Sequence, residues 1–201
     1  MTGARPHVIG LTGSVGMGKT STAQMFADEG AQVWDADAAV HRLYAPGGGA
    51  VRGISEMYPG AIVRGAVSRK ALNDWISRDK TALAKIERVV HPLVAADRDE
   101  FLRNASAAIV VLDIPLLFES AHNENFDTIV VVSTSASQQR ARVLARPGMT
   151  DRKFEMIRAR QMPDEEKRTR ADVVIPTDTL AGARAAVQEL MGRIREQMKN
   201  A

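Results

Sequence analysis

Residues 10–20 read GLTGSVGMGKT, an apolar strand that opens into closely spaced glycines followed by a lysine and a threonine. Gly13 to Thr20 fit G-x-x-x-x-G-K-[ST], the pattern of the phosphate-binding P-loop. Because glycine has no Cβ and tolerates a positive φ, we expect Gly13, Gly16 and Gly18 to use that freedom. Their amides would then converge on a phosphate at the start of the following helix.

The end of this loop supplies side chains suited to a polyphosphate. Lys19 offers a positive charge to the β- and γ-phosphates, and the Thr20 hydroxyl is placed to bind Mg²⁺. We therefore predict a nucleotide polyphosphate and Mg²⁺ as ligands, a catalytic role for Lys19 and a metal-binding role for Thr20. Met17 and Ser21 complete the predicted set of nucleotide-binding residues in the loop. The alternative is a glycine turn that matches by chance, but a strand before it and a helix after it favour the P-loop.

The rest of the chain alternates strand and helix patterns. Apolar runs predict strands at 7–12, 31–34, 107–113, 127–132 and 172–175. These runs are apolar throughout rather than at every second residue, which is typical of a parallel sheet covered on both faces. The sequence therefore predicts a three-layer α/β fold with a parallel sheet.

One long section differs from the rest. Residues 50–105 contain no convincing strand, and Leu83, Ile86, Val90, Leu93 and Val94 are spaced like one helical face. We expect Pro92 to bend or divide that helix. The sequence predicts a nucleotide-binding core of residues 1–44, 106–136 and 171–201, with 45–105 as a helical insertion.

Composition excludes several classes of function. The 201 residues include no cysteine, so disulfides, thiolate metal sites and thiol nucleophiles are excluded. The longest apolar stretch, 107–112, is far too short to span a bilayer, and the first residues do not form a signal peptide. We expect a cytoplasmic protein with no membrane partner.

Positive charge concentrates in one segment. Residues 140–170 hold ten of the 27 Lys and Arg residues against five acids. Such a block indicates either a phosphate clamp or a nucleic-acid surface. Its only aromatic residue is Phe154, so no platform for stacking bases is visible, and we predict no nucleic-acid partner.

Three carboxylates follow predicted strands. Asp35 and Asp37 come directly after the strand at 31–34, and Asp113 ends the next strand. Ligands of open α/β sheets bind at the carboxyl ends of the strands. Asp37 is therefore either a general base or magnesium-water ligand, or the N-cap of the next helix. Asp113 is either a magnesium ligand or a turn residue before Pro115.

Several motifs together resemble those of the dephospho-CoA kinase family. They are GLTGSVGMGKT, VWDADAAVHRL, IERVVHPLV, VVLDIPLLFE, and RQMPDEEK followed by ADVVI, in the family's order. The resemblance covers the chain from about residue 8 to residue 176. The P-loop is shared with many proteins, whereas the combination of DAD, HPLV and DIPLLFE is far more specific.

The resemblance implies a kinase that transfers the γ-phosphoryl group of ATP to the ribose 3′-hydroxyl of 3′-dephospho-CoA. It implies that Asp37 is the general base and binds the acceptor. It also places His91 in the acceptor site; without the family, His91 would be read as a buried, hydrogen-bonded histidine. Residues 45–105 would bind the acceptor.

The basic segment 137–170 would be an arginine-rich lid over ATP. Arg142 and Arg146 fall where the family has arginines, and Gln139, Gln161 and Lys167 also match it. The alternative is a solvated helix face, which the excess of basic residues disfavours.

Two other functions remain at the level of sequence. One is a nucleotide switch whose hydrolysis drives a partner, although the chain has no NKxD motif for guanine recognition. The other is a different nucleotide kinase on the same scaffold, which HPLV and PLLFE argue against.

Overall fold

The structure is a computed structural model that describes residues 5–119 and 126–200. The chain forms two compact units, one made of residues up to 34 and from 105 onward, the other of residues 35–104. The predicted core ranges also include residues 1–4, 120–125 and 201, which lie outside the described residues.

The elements alternate much as the sequence predicts. The strands are β1 (His7–Thr12), β2 (Gln32–Asp35), β3 (Ile62–Val63), β4 (Ala66–Val67), β5 (Ile109–Asp113), β6 (Thr128–Ser133) and β7 (Val173–Pro176). The helices are α1 (Lys19–Asp28), α2 (Ala36–Tyr44), α3 (Ala50–Met57), α4 (Arg69–Arg78), α5 (Ala82–Asn104), α6 (Ala136–Leu144), α7 (Asp151–Arg158), α8 (Asp164–Arg170) and α9 (Leu180–Lys199). A 3₁₀ turn, Pro59–Ala61, precedes β3.

A five-stranded sheet has the order β2-β5-β1-β6-β7. Strand β1 pairs in parallel with both β5 and β6, so that Ile9 lies opposite Val111 on one side and Thr128 on the other. Strand β6 pairs in parallel with β7. The predicted parallel sheet is confirmed, and because its strands share a direction, the carboxyl ends of β1, β5, β6 and β7 meet at one edge.

The sheet is the centre of the first unit's core. Every residue of β5 is buried, as is every residue of β1 after His7. A strand buried on both faces needs apolar side chains in both directions, which explains why these runs do not alternate. The core joins the strands to helices α1 and α9 and includes Ile9, Leu11, Phe26, Val111, Val130, Ile175, Leu190 and Ile194.

The second unit has its own core and one feature that the sequence analysis missed. Strands β3 and β4 form a short antiparallel hairpin, so the prediction of no strand in this section is wrong. Its turn residues Arg64 and Gly65 both have positive φ, 52° and 78°, as a tight hairpin turn requires. Two residues per strand are too few to produce a periodic pattern, which is why the hairpin left no signal.

Helix α5 runs from Ala82 to Asn104 without a break at Pro92, so the proline does not divide it. Ile86 and Val90, before the proline, are buried in the second unit's core, and Leu93 and Val94, after it, are partly buried against the same core. Leu83, predicted on the same face, is 48% exposed. Tyr44 at the end of α2 belongs to this core, so α2 groups with residues 35–104 and the units divide after residue 34, not after 44 as the sequence suggested.

Candidate nucleotide and phosphoryl-transfer site

The glycines of the P-loop serve two different purposes. Gly16 and Gly18 have positive φ, 81° and 89°, as predicted. Gly13 does not, so the expectation of a positive φ there is wrong. A Cβ on Gly13 would lie 2.4 Å from Cγ2 of Val132 and 2.9 Å from its carbonyl oxygen. Gly13 is therefore required for the close approach of the loop to strand β6.

Met17 anchors the loop through its own atoms. Its side chain is buried, and its sulfur accepts a hydrogen bond from the Thr134 amide at 3.3 Å. Its carbonyl accepts from the Thr177 hydroxyl at 2.7 Å, and its amide donates to Ser14 at 3.1 Å. Met17 thus ties the loop to the ends of β6 and β7.

Helix α1 begins at Lys19 directly after the loop. Its N-cap is Gly18, which offers no side-chain cap, and its first turn holds no acidic residue. The side chains of Thr20 and Ser21 in that first turn are exposed. The first-turn amides and the positive end of a ten-residue helix are consequently open to an anion.

Lys19 and Asp113 form an ion pair between the loop and the end of β5. The Lys19 side chain is 16% exposed and that of Asp113 is 3% exposed. The pair brings together the predicted phosphate-binding cation and one predicted metal-binding carboxylate. It also shows that Asp113 is more than a turn residue before Pro115.

A cavity of about 280 Å³ lies beside the loop. Arg142 on α6 spans one side: its guanidinium donates to the Thr177 carbonyl at 2.6 Å and to the Thr177 hydroxyl at 3.2 Å. The lining residues are Gly18, Ser21, Thr22, Met25, Arg142, Thr177, Leu180 and Ala183. The cavity brings together residues of α1, α6, α9 and the β7–α9 connection next to the start of α1.

Thr177 and Asp178 form the rim of this region, and sequence analysis assigned them no role. Thr177 is buried and binds Met17 and Arg142, as described above. The Thr134 hydroxyl and the Ser135 amide donate to the Asp178 carboxylate and hold its pKa below the usual value, with a further contribution from the charge of Arg142. No periodic or motif signal marks either residue.

The predicted lid residues differ in their surroundings. The predicted lid segment, 137–170, consists mainly of helices α6, α7 and α8. Arg146 follows α6 and is exposed; among the described residues its guanidinium makes no hydrogen bond or ion pair. Several other basic residues are paired with acids: Arg140 with Asp151, Arg158 with Glu155, and Arg170 with Glu166. Arg142, rather than Arg146, is thus the predicted lid arginine that lines the cavity.

A second cavity, of about 550 Å³, lies on the α7 side of the loop. Its wall includes Ser14 and Met17 from the loop, Gln139 from α6, and Gln161 and Asp164 from the segment around the start of α8. Gln139 and Gln161 both contact the loop backbone at Val15.

Asp35 and Asp37 have separate roles at the start of α2. The Asp35 carboxylate accepts a hydrogen bond from the Ala38 amide at 2.9 Å and is the N-cap of the helix. The alternative in which Asp37 is the cap is therefore wrong. Asp37 is exposed in the first turn, and within the described residues its carboxylate has no hydrogen bond or ion pair.

His91 lies inside α5, and its side chain is exposed. The interpretation of His91 as a buried core histidine is therefore wrong. His91 directly precedes Pro92 in the chain and belongs to the second unit.

The donors that could hold Mg²⁺ are few. In residues 5–119 and 126–200 no group of three or more His, Cys, Asp or Glu side chains lies together as a metal site. The Thr20 hydroxyl and the Asp113 carboxylate flank Lys19, one at the start of α1 and the other in the ion pair. Mg²⁺ is commonly bound by one or two protein oxygens, water and phosphates, so this donor set fits it.

A parallel sheet whose first strand leads through a glycine loop into a helix, with the loop lysine paired to a carboxylate on the neighbouring strand, is the arrangement of the P-loop class of nucleotide-binding proteins. Solved structures agree on the fold. A Thermus thermophilus protein, TT1252, matches with a TM-score of 0.84 and 30% identity over 94% of this chain and 97% of its own. A shikimate kinase from Acinetobacter baumannii matches with a TM-score of 0.56 at 19% identity, over 96% and 94%.

The model of the dephospho-CoA kinase (CoaE) family matches residues 7–181. Dephospho-CoA kinase from Cereibacter sphaeroides is 55% identical over 96% of this chain and 98% of its own length. Dephospho-CoA kinase from Ruegeria pomeroyi is 55% identical over 93% and 95%. The chain belongs to the dephospho-CoA kinase family. No helix in the described part of the chain is both long and apolar enough to cross a membrane.

Proposed function

We propose that this protein transfers the γ-phosphoryl group of ATP to the ribose 3′-hydroxyl of 3′-dephospho-CoA, giving ADP and CoA. The observation that carries the proposal is the P-loop ending in Lys19, paired with Asp113, in a chain of the dephospho-CoA kinase family. The new bond joins the 3′-oxygen to the γ-phosphorus, and the bond from that phosphorus to the β–γ bridging oxygen breaks.

The loop would bind the triphosphate. The amides around Gly16, Gly18, Thr20 and Ser21 supply hydrogen bonds without intervening side chains. Lys19 exchanges its partner from the Asp113 carboxylate to the phosphates. Because this side chain is largely shielded from water, its charge acts more strongly on the transferring group than an exposed lysine would.

The 280 Å³ cavity would bind the nucleoside part of ATP. Arg142 presents a planar guanidinium, which stacks well on a purine ring, and Met25 and Leu180 supply apolar contacts. Thr177 holds Arg142 in place. In this proposal Gly13 contributes close packing, and Met17 orients the loop backbone.

Thr20 and Asp113 are the residues we assign to Mg²⁺. When bound, Mg²⁺ supplies positive charge that offsets the charge on the β- and γ-phosphates. The hydroxyl of Thr20 is exposed at the helix start, and the Asp113 carboxylate would bind Mg²⁺ once Lys19 turns to phosphate.

The acceptor side rests on the second unit. We assign Asp37 as the general base that takes the proton of the 3′-hydroxyl, because its carboxylate is exposed and is not used as the helix cap. We assign His91 and residues 45–105 to acceptor binding, and Arg146 with segment 137–170 to a lid that excludes water from ATP. We expect small-molecule partners, no nucleic acid, and a cytoplasmic location.

The test is an assay of ADP release with four acceptors offered separately: dephospho-CoA, AMP, adenosine and phosphopantetheine. We expect turnover only with dephospho-CoA and a requirement for Mg²⁺. Lys19→Met is the matched control for contaminating kinases. ADP release that is independent of acceptor would instead indicate a nucleotide switch, and preference for AMP would indicate a nucleotide kinase.

A further inference from the structure

The side chains of two glutamines form hydrogen bonds with the backbone of one P-loop residue, Val15. The Val15 amide donates to Oε1 of Gln161 at 3.0 Å, and the Val15 carbonyl accepts from Nε2 of Gln139 at 2.9 Å. Val15 lies between Ser14 and Gly16, in the middle of the glycine loop. Both polar groups of this residue are therefore fixed by side chains, one from α6 and one from the segment before α8.

Gln139 is held rigidly against the loop. Its side chain is buried, 6% exposed, and its own backbone lies so close to Gly16 that a Cβ there would be 3.0 Å from the Gln139 carbonyl oxygen. The glutamine and the glycine thus form a tight contact. Gln139 can shift little without moving the loop.

Gln161 is fixed by its neighbours in the chain. The next amide, of Met162, donates to Glu119 at 2.8 Å, and the same carboxylate lies 2.8 Å from the buried ammonium of Lys167. Three residues after Gln161, the Asp164 carboxylate accepts a hydrogen bond from the Ser133 hydroxyl at 2.6 Å. The segment that carries Gln161 is therefore fastened to the end of β6 and to Glu119, which follows β5 in the chain.

The space beside these bonds is a cavity rather than a packed core. Both glutamines line the 550 Å³ cavity next to the loop. Close packing fixes Gly13 against Val132, whereas on the α7 side the cavity borders Ser14 and Met17, the loop residues on either side of Val15 and Gly16. Beside this cavity, Val15 is held by the two side-chain hydrogen bonds described above.

We propose that Gln139 and Gln161 are positioning residues for phosphoryl transfer, which orient the two peptide groups on either side of Val15 and through them the phosphate-binding amides that begin at Gly16. The proposal rests on the proposed kinase function. Neither glutamine needs to touch ATP. A misplacement of about 1 Å at the reacting centre costs roughly 100-fold in rate, so a small rotation of either peptide is sufficient to matter.

Gln161→Met and Gln161→Glu separate positioning from simple stability. Methionine has similar size but only a weak thioether acceptor in place of the amide oxygen, so we expect the Val15 amide to exchange with solvent about fivefold faster or more. We expect kcat to fall roughly 10- to 100-fold, with the KM for dephospho-CoA unchanged. Glutamate keeps an oxygen for the Val15 amide, so we expect its exchange and kcat to stay near the parent, while its charge raises the KM for ATP.

The measurements are steady-state kinetics and amide exchange of the ¹⁵N-labelled free protein followed by NMR. The control is Gln197→Met, on the exposed part of α9, which should change neither quantity. The proposal is overturned if Gln161→Met keeps the parental kcat, if Val15 exchange does not respond, or if both substitutions lower kcat equally. Failure of the kinase function itself is distinguishable, because the parent would then not phosphorylate dephospho-CoA while Val15 exchange still responded.

Discussion

Lys19 and Asp113 form an ion pair that is largely shielded from water at the edge of the sheet. The lysine comes from the start of α1 and the aspartate from the last position of β5, which lies opposite Leu11 of β1. Two adjacent parallel strands thus set the distance between the two charges. A buried pair of this kind stabilises the fold only while both partners are present.

Lys19→Met should therefore have two effects that can be separated. It removes the charge for phosphate, so we expect turnover to fall at least about 1,000-fold. It also removes the cation that pairs with the buried Asp113 carboxylate, which should lower the free energy of unfolding by about 3 kcal/mol. Adding Asp113→Asn should restore much of the stability but none of the activity. Urea denaturation and kinetics on both variants check this, and equal loss of stability in the two would contradict it.

Asp37→Asn should slow catalysis strongly without unfolding the protein. We expect kcat to fall about 100-fold or more, the effect of removing a positioned base, with ATP affinity and Tm close to the parent. Asp35→Ala should instead lower stability by about 1 kcal/mol, because it removes the cap of α2. Asp28→Asn, on α1, is the control for a carboxylate outside the proposed site. Parental turnover in Asp37→Asn would remove this residue from the mechanism.

The sequence predicted the sheet and the loop because both depend on local patterns. Uninterrupted apolar runs mark buried parallel strands, and the P-loop is a contiguous motif. The sequence could not show that Asp35, and not Asp37, caps helix α2. Both are aspartates, which cap helices well, and only the geometry of the turn distinguishes them. The difference between Gly13 and the other loop glycines depends on Val132, which is distant in sequence.

The contacts that fasten the loop were also beyond local patterns. Thr177 binds Met17 across a separation of 160 residues, and Gln161 binds Val15 across 146. A family resemblance marked Gln161 but gave no reason for it. Burial of an ammonium as in Lys167 is unusual for lysine, and the sequence does not show where its carboxylate partner lies.

Arg142→Lys should weaken ATP binding selectively. Lysine keeps the charge but loses the planar fork that contacts both oxygens of Thr177 and would stack on a base. We expect the KM for ATP to rise about 10-fold, with the KM for dephospho-CoA within about twofold of the parent. Arg193→Lys, exposed on α9, is the control. A change confined to the KM for dephospho-CoA would show that Arg142 acts on the acceptor and not on ATP.

Asp79 should make stability depend on pH in the acid range. The Thr81 hydroxyl and amide, with Lys85, lower the pKa of this carboxyl from 3.8 to about 2 in the folded protein. A lowered pKa means that the stabilisation is complete above the unfolded value and is lost as pH falls through the folded one. The stability difference between the parent and Asp79→Ala should therefore be constant above pH 5 or so and decrease progressively as the pH falls towards 2. Urea denaturation from pH 6 to pH 2 tests this, with Asp74→Ala as a control in an exposed ion pair.

Glu119 and Lys167 should respond unequally to substitution, because their burial differs. The Lys167 side chain is fully buried and lies 2.8 Å from a Glu119 oxygen, whereas Glu119 is 18% exposed and also accepts the Met162 amide. The two charged atoms are close but are not aligned for a hydrogen bond, so the ammonium depends on charge attraction.

Glu119→Gln leaves that ammonium buried beside a neutral group and should cost about 3 kcal/mol of unfolding free energy. Lys167→Met leaves a partly solvated carboxylate that keeps its amide donor, so we expect a smaller loss. In the double variant the loss should be close to that of Lys167→Met alone, and urea denaturation of all three variants measures the order. A larger loss in Lys167→Met than in Glu119→Gln would show that packing of the lysine chain, and not its charge, decides the stability of this contact.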